Sequence, residues 1–365
     1  MRIAFLGDVA LIGKYDLTKN PLARKRLERI AAILSDFDYV VANLESPLTN
    51  KKNTMVCKSM HLKTPTLNIE ILRYLHINAV SLANNHLYDY GVQGLDDTIE
   101  TLERSSVEWF GANSKYLIKE IGREKVCFSG FCCFSTNGSG YIEGQSKEGI
   151  NTLTYNSIMK QIDADRENEV ISVMSFHWGD EHTNYPKYEH ICLAKSIAQK
   201  KDVVICGHHP HIIQGVQKIN NSLVAYSLGN FLFDDCVSIT DSFTLKQNEN
   251  NKKSFILEVN IENGTIKNCK YLGFKDEADG LDFFNINSEI DQISLPLYKI
   301  DNVDEYNAMR QKQIKKVVFE KFGKHNLNWL LSRLNYYSIG AYVFSKLREK
   351  KYLKEADRFL GVKRG

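Results

Sequence analysis

The chain keeps returning to one unit. A short apolar run stops at a cluster of carboxylate, amide or imidazole side chains, and a stretch of helical periodicity follows. Ile3-Ala4-Phe5-Leu6 runs into Gly7-Asp8, and 39–42 runs into Asn43-Leu44-Glu45. Likewise 79–83 meets Asn84-Asn85-His86, 170–176 meets His177-Trp178-Gly179, and 203–206 meets Gly207-His208-His209-Pro210-His211. Short, continuously apolar strands separated by helices belong to a mostly parallel sheet covered on both faces. In such sheets ligands bind in the loops beyond the carboxyl ends of the strands. The five clusters are therefore expected along one edge of an α/β fold.

The intervening segments agree. Residues 21–34 place Leu27, Ile30, Ala31 and Leu34 on one helical face, with Pro21 suited to the first turn. Thr64-Pro65 predicts an N-cap and first-turn proline for a helix through Leu75, and 91–105 and 187–200 predict two more. After 211 the texture changes to strands over 212–219, 223–228 and 255–261. Asn263-Gly264 is a strong hairpin signal. The segment 212–273 is expected to be largely antiparallel, with the polar stretch 247–253 as a surface loop. Beyond about residue 300 the pattern is helical. Ile314, Val317, Val318 and Phe322 share one face, and Trp329, Leu330 and Leu334 share another. A body over 1–275 and a mainly helical extension over 276–365 follow.

Composition narrows the class. A net charge of +3 over 365 residues is too small to argue for a nucleic-acid partner. The eight cysteines include no Cys-x-x-Cys pair and several lie in apolar runs. They read as buried thiols in a reducing compartment. The first residues contain no long apolar region before Asp8, and no stretch approaches the roughly 18 apolar residues of a membrane span. The expectation is a cytoplasmic protein without a transmembrane segment. The basic tail reads as a solvated helix face, with peripheral contact at a membrane surface as the sharper alternative.

The clusters carry chemistry as a set. Asp8 and Glu45 supply charge, Asn85 a neutral oxygen, and His177, His208, His209 and His211 nitrogens, a donor mix suited to one or two divalent ions such as Mn, Fe or Zn. Such a site lowers the pKa of bound water and polarises a phosphoryl or acyl oxygen. His86 is placed to donate a proton to a leaving group. Taken singly, Gly7-Asp8 reads as a turn, Asn84-Asn85 as a loop tolerant of left-handed geometry, and His177 as a core histidine. Three histidines in four positions are harder to explain as packing, because buried imidazoles need partners.

In order, Gly7-Asp8-Val9, Ala42-Asn43-Leu44-Glu45, Ser81-Leu82-Ala83-Asn84-Asn85-His86 with Asp89-Tyr90-Gly91, Phe176-His177-Trp178-Gly179, Gly207-His208-His209-Pro210-His211 and Tyr226-Ser227-Leu228-Gly229-Asn230-Phe231 cover residues 1–235. Together they resemble the CapA family of poly-γ-glutamate capsule biosynthesis proteins, a branch of the calcineurin-like metallophosphoesterases. The resemblance implies a four-layer α/β/β/α sandwich. It implies Asp8, Glu45, Asn85, His177, His208 and His211 as metal ligands and His86 as the acid. His209 competes for a ligand position. It further implies Asn230 lining the site and Lys63, in Lys63-Thr64-Pro65, neutralising an anionic substrate. Two departures stand out: position 10 is Ala where the wider superfamily has the histidine of Asp-x-His, and Glu45 stands where a bridging Asp is usual. CapA-like proteins share both.

Two functions follow. One is a metal-dependent hydrolase of phosphoesterase type, acting on a phosphate ester or an amide of an anionic glutamyl polymer. The other is a non-catalytic accessory component working with capsule or polymer synthesis proteins. A polysaccharide- or polyglutamate-binding module ranks last, since Lys and Arg are only scattered.

Overall fold

The computed structural model describes residues 1–239, 244–322 and 334–361. Trp329, Leu330 and the side chain of Phe322, assigned above to helical faces, lie outside the described residues. The first four strands are β1 (Arg2–Val9), β2 (Tyr39–Leu44), β3 (Ala79–Ser81) and β4 (Glu108–Phe110). Next come β5 (Leu117–Ile121), β6 (Glu124–Cys132), β7 (Ile171–His177), β8 (Val203–His208), β9 (Val216–Ile219) and β10 (Ser222–Ala225). The last are β11 (Asn230–Leu232), β12 (Cys236–Val237), β13 (Thr244–Leu245), β14 (Lys253–Glu262), β15 (Thr265–Asp276) and β16 (Leu281–Phe284).

One sheet runs β16-β15-β14-β1-β2-β3-β4 with β11 added beside β1, and a second runs β5-β6-β7-β8-β10-β9. The apolar strands are buried twice over because side chains alternate between faces. On β1, Ile3 and Phe5 enter the core shared with the second sheet, meeting residues such as Phe128, Val173 and Val204. Ala4 and Leu6 enter the opposite core. That core lies under helices α1 (Ala23–Arg26), α2 (Glu28–Leu34), α3 (Ile69–Tyr74) and α4 (Gly91–Arg104). On the far side, Met174, Phe176, Val203 and Ile205 pack under α5 (Tyr155–Glu167) and α6 (Tyr188–Ala198). The result is the four-layer α/β/β/α sandwich.

Local readings need two corrections and one refinement. Thr64 does not cap a helix: its hydroxyl donates to the Leu11 carbonyl at 2.6 Å, and a 3₁₀ turn over Thr66–Asn68 precedes α3. The segment after 211 is largely antiparallel, as expected, with β14 also antiparallel to β1, though two of its strands pair in parallel with the earlier sheet strands. β9–β10 and β14–β15 are antiparallel hairpins, but β10 runs parallel to β8 and β11 parallel to β1. Period-two patterning marks a strand without naming its neighbour. Finally, 247–253 is more than a surface loop, because Asn251 is buried and its amide donates to the His211 carbonyl at 2.9 Å.

The C-terminal elements lie against the sandwich. β15 and β16 extend the first sheet past residue 275. Helix α7 (Asn287–Tyr298) meets β9, where Val216 N–H donates to Ser294 Oγ. Helix α8 (Val303–Phe322) buries Val317 but leaves Val318 exposed, and its Arg310 reaches Asp180 at 2.7 Å. Helix α9 (Tyr336–Phe359) packs on α6, with the Tyr352 hydroxyl donating to Glu189. Among the described residues no helix is long and apolar enough to cross a membrane.

Candidate metal centre

Strand register assembles the site. Asp8 near the end of β1 sits between Asn43 of β2 and Asn230 of β11. His177 and His208 end β7 and β8 as directly paired residues. The carboxyl ends of both sheets thus meet at one place, joined by the loops carrying Asn85-His86 and His209–His211. His209 and His211 hold φ of 94° and 57°, left-handed conformations that turn the loop back over the strand ends.

Asp8 and Glu45 are fully buried. Asp8 accepts from the Asn43 amide at 2.8 Å and from the His209 backbone N–H at 3.2 Å. His208 Nδ1 lies 3.1 Å from Asp8 Oδ1, but the pair is off-line for a hydrogen bond. Neither Glu45 oxygen has a hydrogen-bond partner. Instead Glu45 Oε1 has His211 Nε2 at 3.7 Å and His86 Nε2 and His177 Nε2 each at 3.9 Å. Asn85 Oδ1 lies 2.9 Å from His177 Nε2.

A buried carboxylate without a donor is costly. Spacings of 3.7–3.9 Å are too long for hydrogen bonds, yet they suit one ion shared between the groups. Two donors each ~2.1 Å from a cation are at most ~4.2 Å apart. The residues present therefore fit a divalent cation. Electrostatics agree. At Asp8 burial pushes the carboxyl up, but His208, His211 and the Asn43 amide outweigh it and hold it below its ordinary value. Burial and Asp8 push Glu45 well above the ordinary range. Burial and the neighbouring histidines hold His177 well below its usual value, so its imidazole is neutral as a ligand requires.

The structure brings Asp8, Glu45, Asn85, His86, His177, His208, His209 and His211 together. Asn230 is one step back: its Oδ1 lies 2.9 Å from His211 Nδ1. Lys63 does not enter the cluster, since its ammonium donates to the Lys51 carbonyl at 2.5 Å and lies over the Tyr90 ring. The cation near the site is Lys58, which sequence reasoning missed. Its buried ammonium donates to the Asn85 carbonyl at 2.6 Å and Asp89 Oδ1 at 2.9 Å, and lies 3.0 Å from His86 Nδ1. Asp89 Oδ2 is 2.6 Å from that same nitrogen. Burial and Lys58 push His86 down to about 4. Asp89 stood in the motif after His86, and the structure gives it its role as the partner of His86 Nδ1. Lys58 and Asn251 carry no comparable signal.

Comparison with known proteins agrees with the motif order. Residues 2–235 match the family described as bacterial capsule synthesis protein PGA_cap. The chain is 28% identical over 241 residues to the PGA biosynthesis protein CapA of Bacillus subtilis, covering 63% of each chain. It is 29% identical over 255 residues to the capsule biosynthesis protein CapA of Bacillus anthracis, covering 65% of this chain and 62% of that one. A polyglutamine synthesis accessory protein of Mycobacterium tuberculosis is 22% identical over 216 residues, covering 54% of this chain and 56% of its own. The chain thus spans somewhat under two thirds of the length of these relatives. With most of its length inside the family match, this chain belongs to the PGA_cap family of bacterial capsule synthesis proteins.

Proposed function

We propose that the chain is a metal-dependent hydrolase of phosphoesterase type that acts on an anionic substrate in the biosynthesis of a capsule polymer of the poly-γ-glutamate kind. The observation that carries this is Glu45, a buried carboxylate without a hydrogen-bond donor, ringed by three imidazole nitrogens. Asp8, Glu45, Asn85, His177, His208 and His211 would hold one or two divalent ions (Mn, Fe or Zn), supplying Lewis acidity toward a phosphoryl or acyl oxygen. Asp89 orients His86 through Nδ1, so that Nε2 faces the cluster. A neutral His86 gains proton affinity when an anionic substrate arrives beside it, and from Nε2 it can protonate a leaving group.

A second reading, an accessory component of a polymer-synthesis complex, is favoured by position 10. There Ala packs with Met60, Leu62 and Phe233 in an apolar niche instead of offering an imidazole. The name of the mycobacterial relative points the same way. Peripheral membrane contact is a further part of this proposal. On α9, Ile339, Tyr342, Val343 and Leu347 are exposed beside Lys346, Lys350 and Lys354.

Elemental analysis of protein purified without chelators, beside a His208→Ala/His211→Ala variant, tests the metal. Turnover of p-nitrophenyl phosphate and its diester by wild type and His86→Ala tests the chemistry. Metal kept but turnover lost in His86→Ala supports the hydrolase. Polymer production in cells that survives His86→Ala supports the accessory role.

A further inference from the structure

Helix α9 meets the body along two segments that lie close to the metal centre. The Tyr336 and Tyr337 hydroxyls donate to the carbonyls of Met55 and Thr54 at 3.1 and 3.0 Å. Gly340 packs on Cys57, where a methyl group would collide with the sulfur. Further along the helix, Arg348 donates to the Gly138 carbonyl at 3.0 Å and to the Asn137 side-chain oxygen. Between these contacts α9 and the body border a cavity of about 480 Å³, a size suited to a small molecule. Its walls are mainly apolar and include Met55, Val56, Tyr88, Tyr141, Phe344 and Leu347.

We propose that this cavity seats the hydrocarbon chain of one anionic lipid, with Arg348 holding the head group. This rests on the membrane contact proposed for α9 and deepens it by naming the ligand. The charge of Arg348 is the first support. The guanidinium is half-buried at the cavity wall, and the acids nearby are already paired, Glu143 with Lys351 and Glu349 with Lys346 at 2.8 Å. Burial lowers the Arg348 pKa, and no carboxylate raises it. An arginine so placed has charge and spare N–H donors to offer an anionic head. The second support is Ser139, on the same wall, whose buried hydroxyl has no hydrogen-bond partner. The third is the exposure of the apolar wall. Phe344 and Leu347 remain 48% and 51% exposed, and they share α9 with the exposed Ile339, Tyr342 and Val343. The cavity therefore borders the face proposed to meet the bilayer, and apolar side chains lead from one to the other.

The seat also backs onto the metal centre. Gly138 lies in its wall, and a methyl group at Gly138 would come within 3.1 Å of the Asn85 Cα. A lipid held here would fix the distance between the centre and the membrane surface.

The test titrates lauroyl-lysophosphatidylglycerol, below its micelle concentration, into the full chain in chelator, followed calorimetrically. The expected result is saturable uptake of one lipid per chain. Shortening the chain by two methylenes should weaken binding roughly tenfold, and Arg348→Gln should weaken it at least about tenfold. Glycerol phosphate has the head without the chain, and lauroyl-lysophosphatidylcholine has the chain with no net charge. Each should bind at least about tenfold more weakly. Leu347→Asp puts a charge on the cavity wall at a half-exposed position. It should keep the wild-type melting temperature and lose the lipid, and it reads the same site if Arg348→Gln fails to fold. Glycerol phosphate binding as tightly as the lysolipid overturns the proposal, because the site would then be for an anion alone. Equal binding of the two lysolipids overturns it as well, and so does a Leu347→Asp isotherm that superposes on wild type. Wild type that sediments with anionic vesicles yet takes up no lysolipid overturns the seat and leaves the surface contact standing.

Discussion

Lys58→Met is the sharpest test of the buried polar cluster behind His86. The Lys58 side chain is 4% exposed and the Asp89 side chain fully buried. Removing one partner of a buried ion pair costs about 3–5 kcal/mol, because the other charge stays enclosed. Here Asp89 would keep the Leu62 N–H at 2.7 Å and His86 Nδ1 at 2.6 Å. These remaining partners place the loss near the lower end, about 3 kcal/mol. Burial pushes the Asp89 carboxyl up, but Lys58 and His86 outweigh it and hold it below its ordinary value, so the acid is ionised at neutral pH and needs its cation. The melting temperature in chelator should fall by about 4 °C, taking an unfolding entropy of about 2.1 cal/mol/K for each of the 365 residues. Lys58→Met/Asp89→Asn should be markedly less unstable than the sum of the single changes, with a coupling of about 2 kcal/mol. Urea unfolding followed by circular dichroism, in chelator at pH 7.5, reads both quantities. A cost below about 1 kcal/mol for Lys58→Met, or strict additivity in the cycle, would refute the argument that this pair is an enclosed and mutually dependent unit.

Glu45→Gln should abolish metal-dependent stabilisation. At one hundred times Kd a bound ion adds about 2.7 kcal/mol, and melting with and without Mn²⁺ should show that gain in wild type only. Burial pushes His190 down to about 3, so the folded chain holds it neutral while the unfolded chain protonates it below pH 6.5. Its contribution is therefore complete above pH 6.5 and is lost as pH falls toward 3, with a slope of up to about 1.4 kcal/mol per pH unit. His190→Leu should flatten that limb in a series of denaturation curves. On α9, Lys350→Glu/Lys354→Glu should cut co-sedimentation with anionic vesicles by about thirtyfold, at roughly 1 kcal/mol per basic residue. Equal sedimentation of variant and wild type would remove the membrane reading.

The ligand clusters were legible because a strand end fixes where a side chain can go. Once Asp8, Asn43, His177 and His208 end their strands in register, they can only meet at one edge. Residues between elements escape that logic. Lys63 and Lys58 are five positions apart in a segment with no regular structure, so no periodicity distinguishes the lysine that turns inward from the one that turns away. Asn251 sits in a run of polar residues whose composition says loop, although its amide anchors the His211 backbone. The directions of β10 and β11 were hidden for a related reason: a three- or four-residue apolar run fits beside either neighbour, and only the packed sheets decide.

The place of β1 has a consequence for how the protein is made. Its two edges are taken by β2 and by β14, with Phe5 opposite Val41 on one side and Leu257 on the other. On a ribosome, the second edge waits for Lys253–Glu262. At about 5–20 residues per second, that wait is on the order of ten to fifty seconds, during which an apolar strand presents unpaired amides to its surroundings. The nascent chain therefore passes through a vulnerable stage in which its first strand is half-clothed, and holding chaperones would be expected to engage it there.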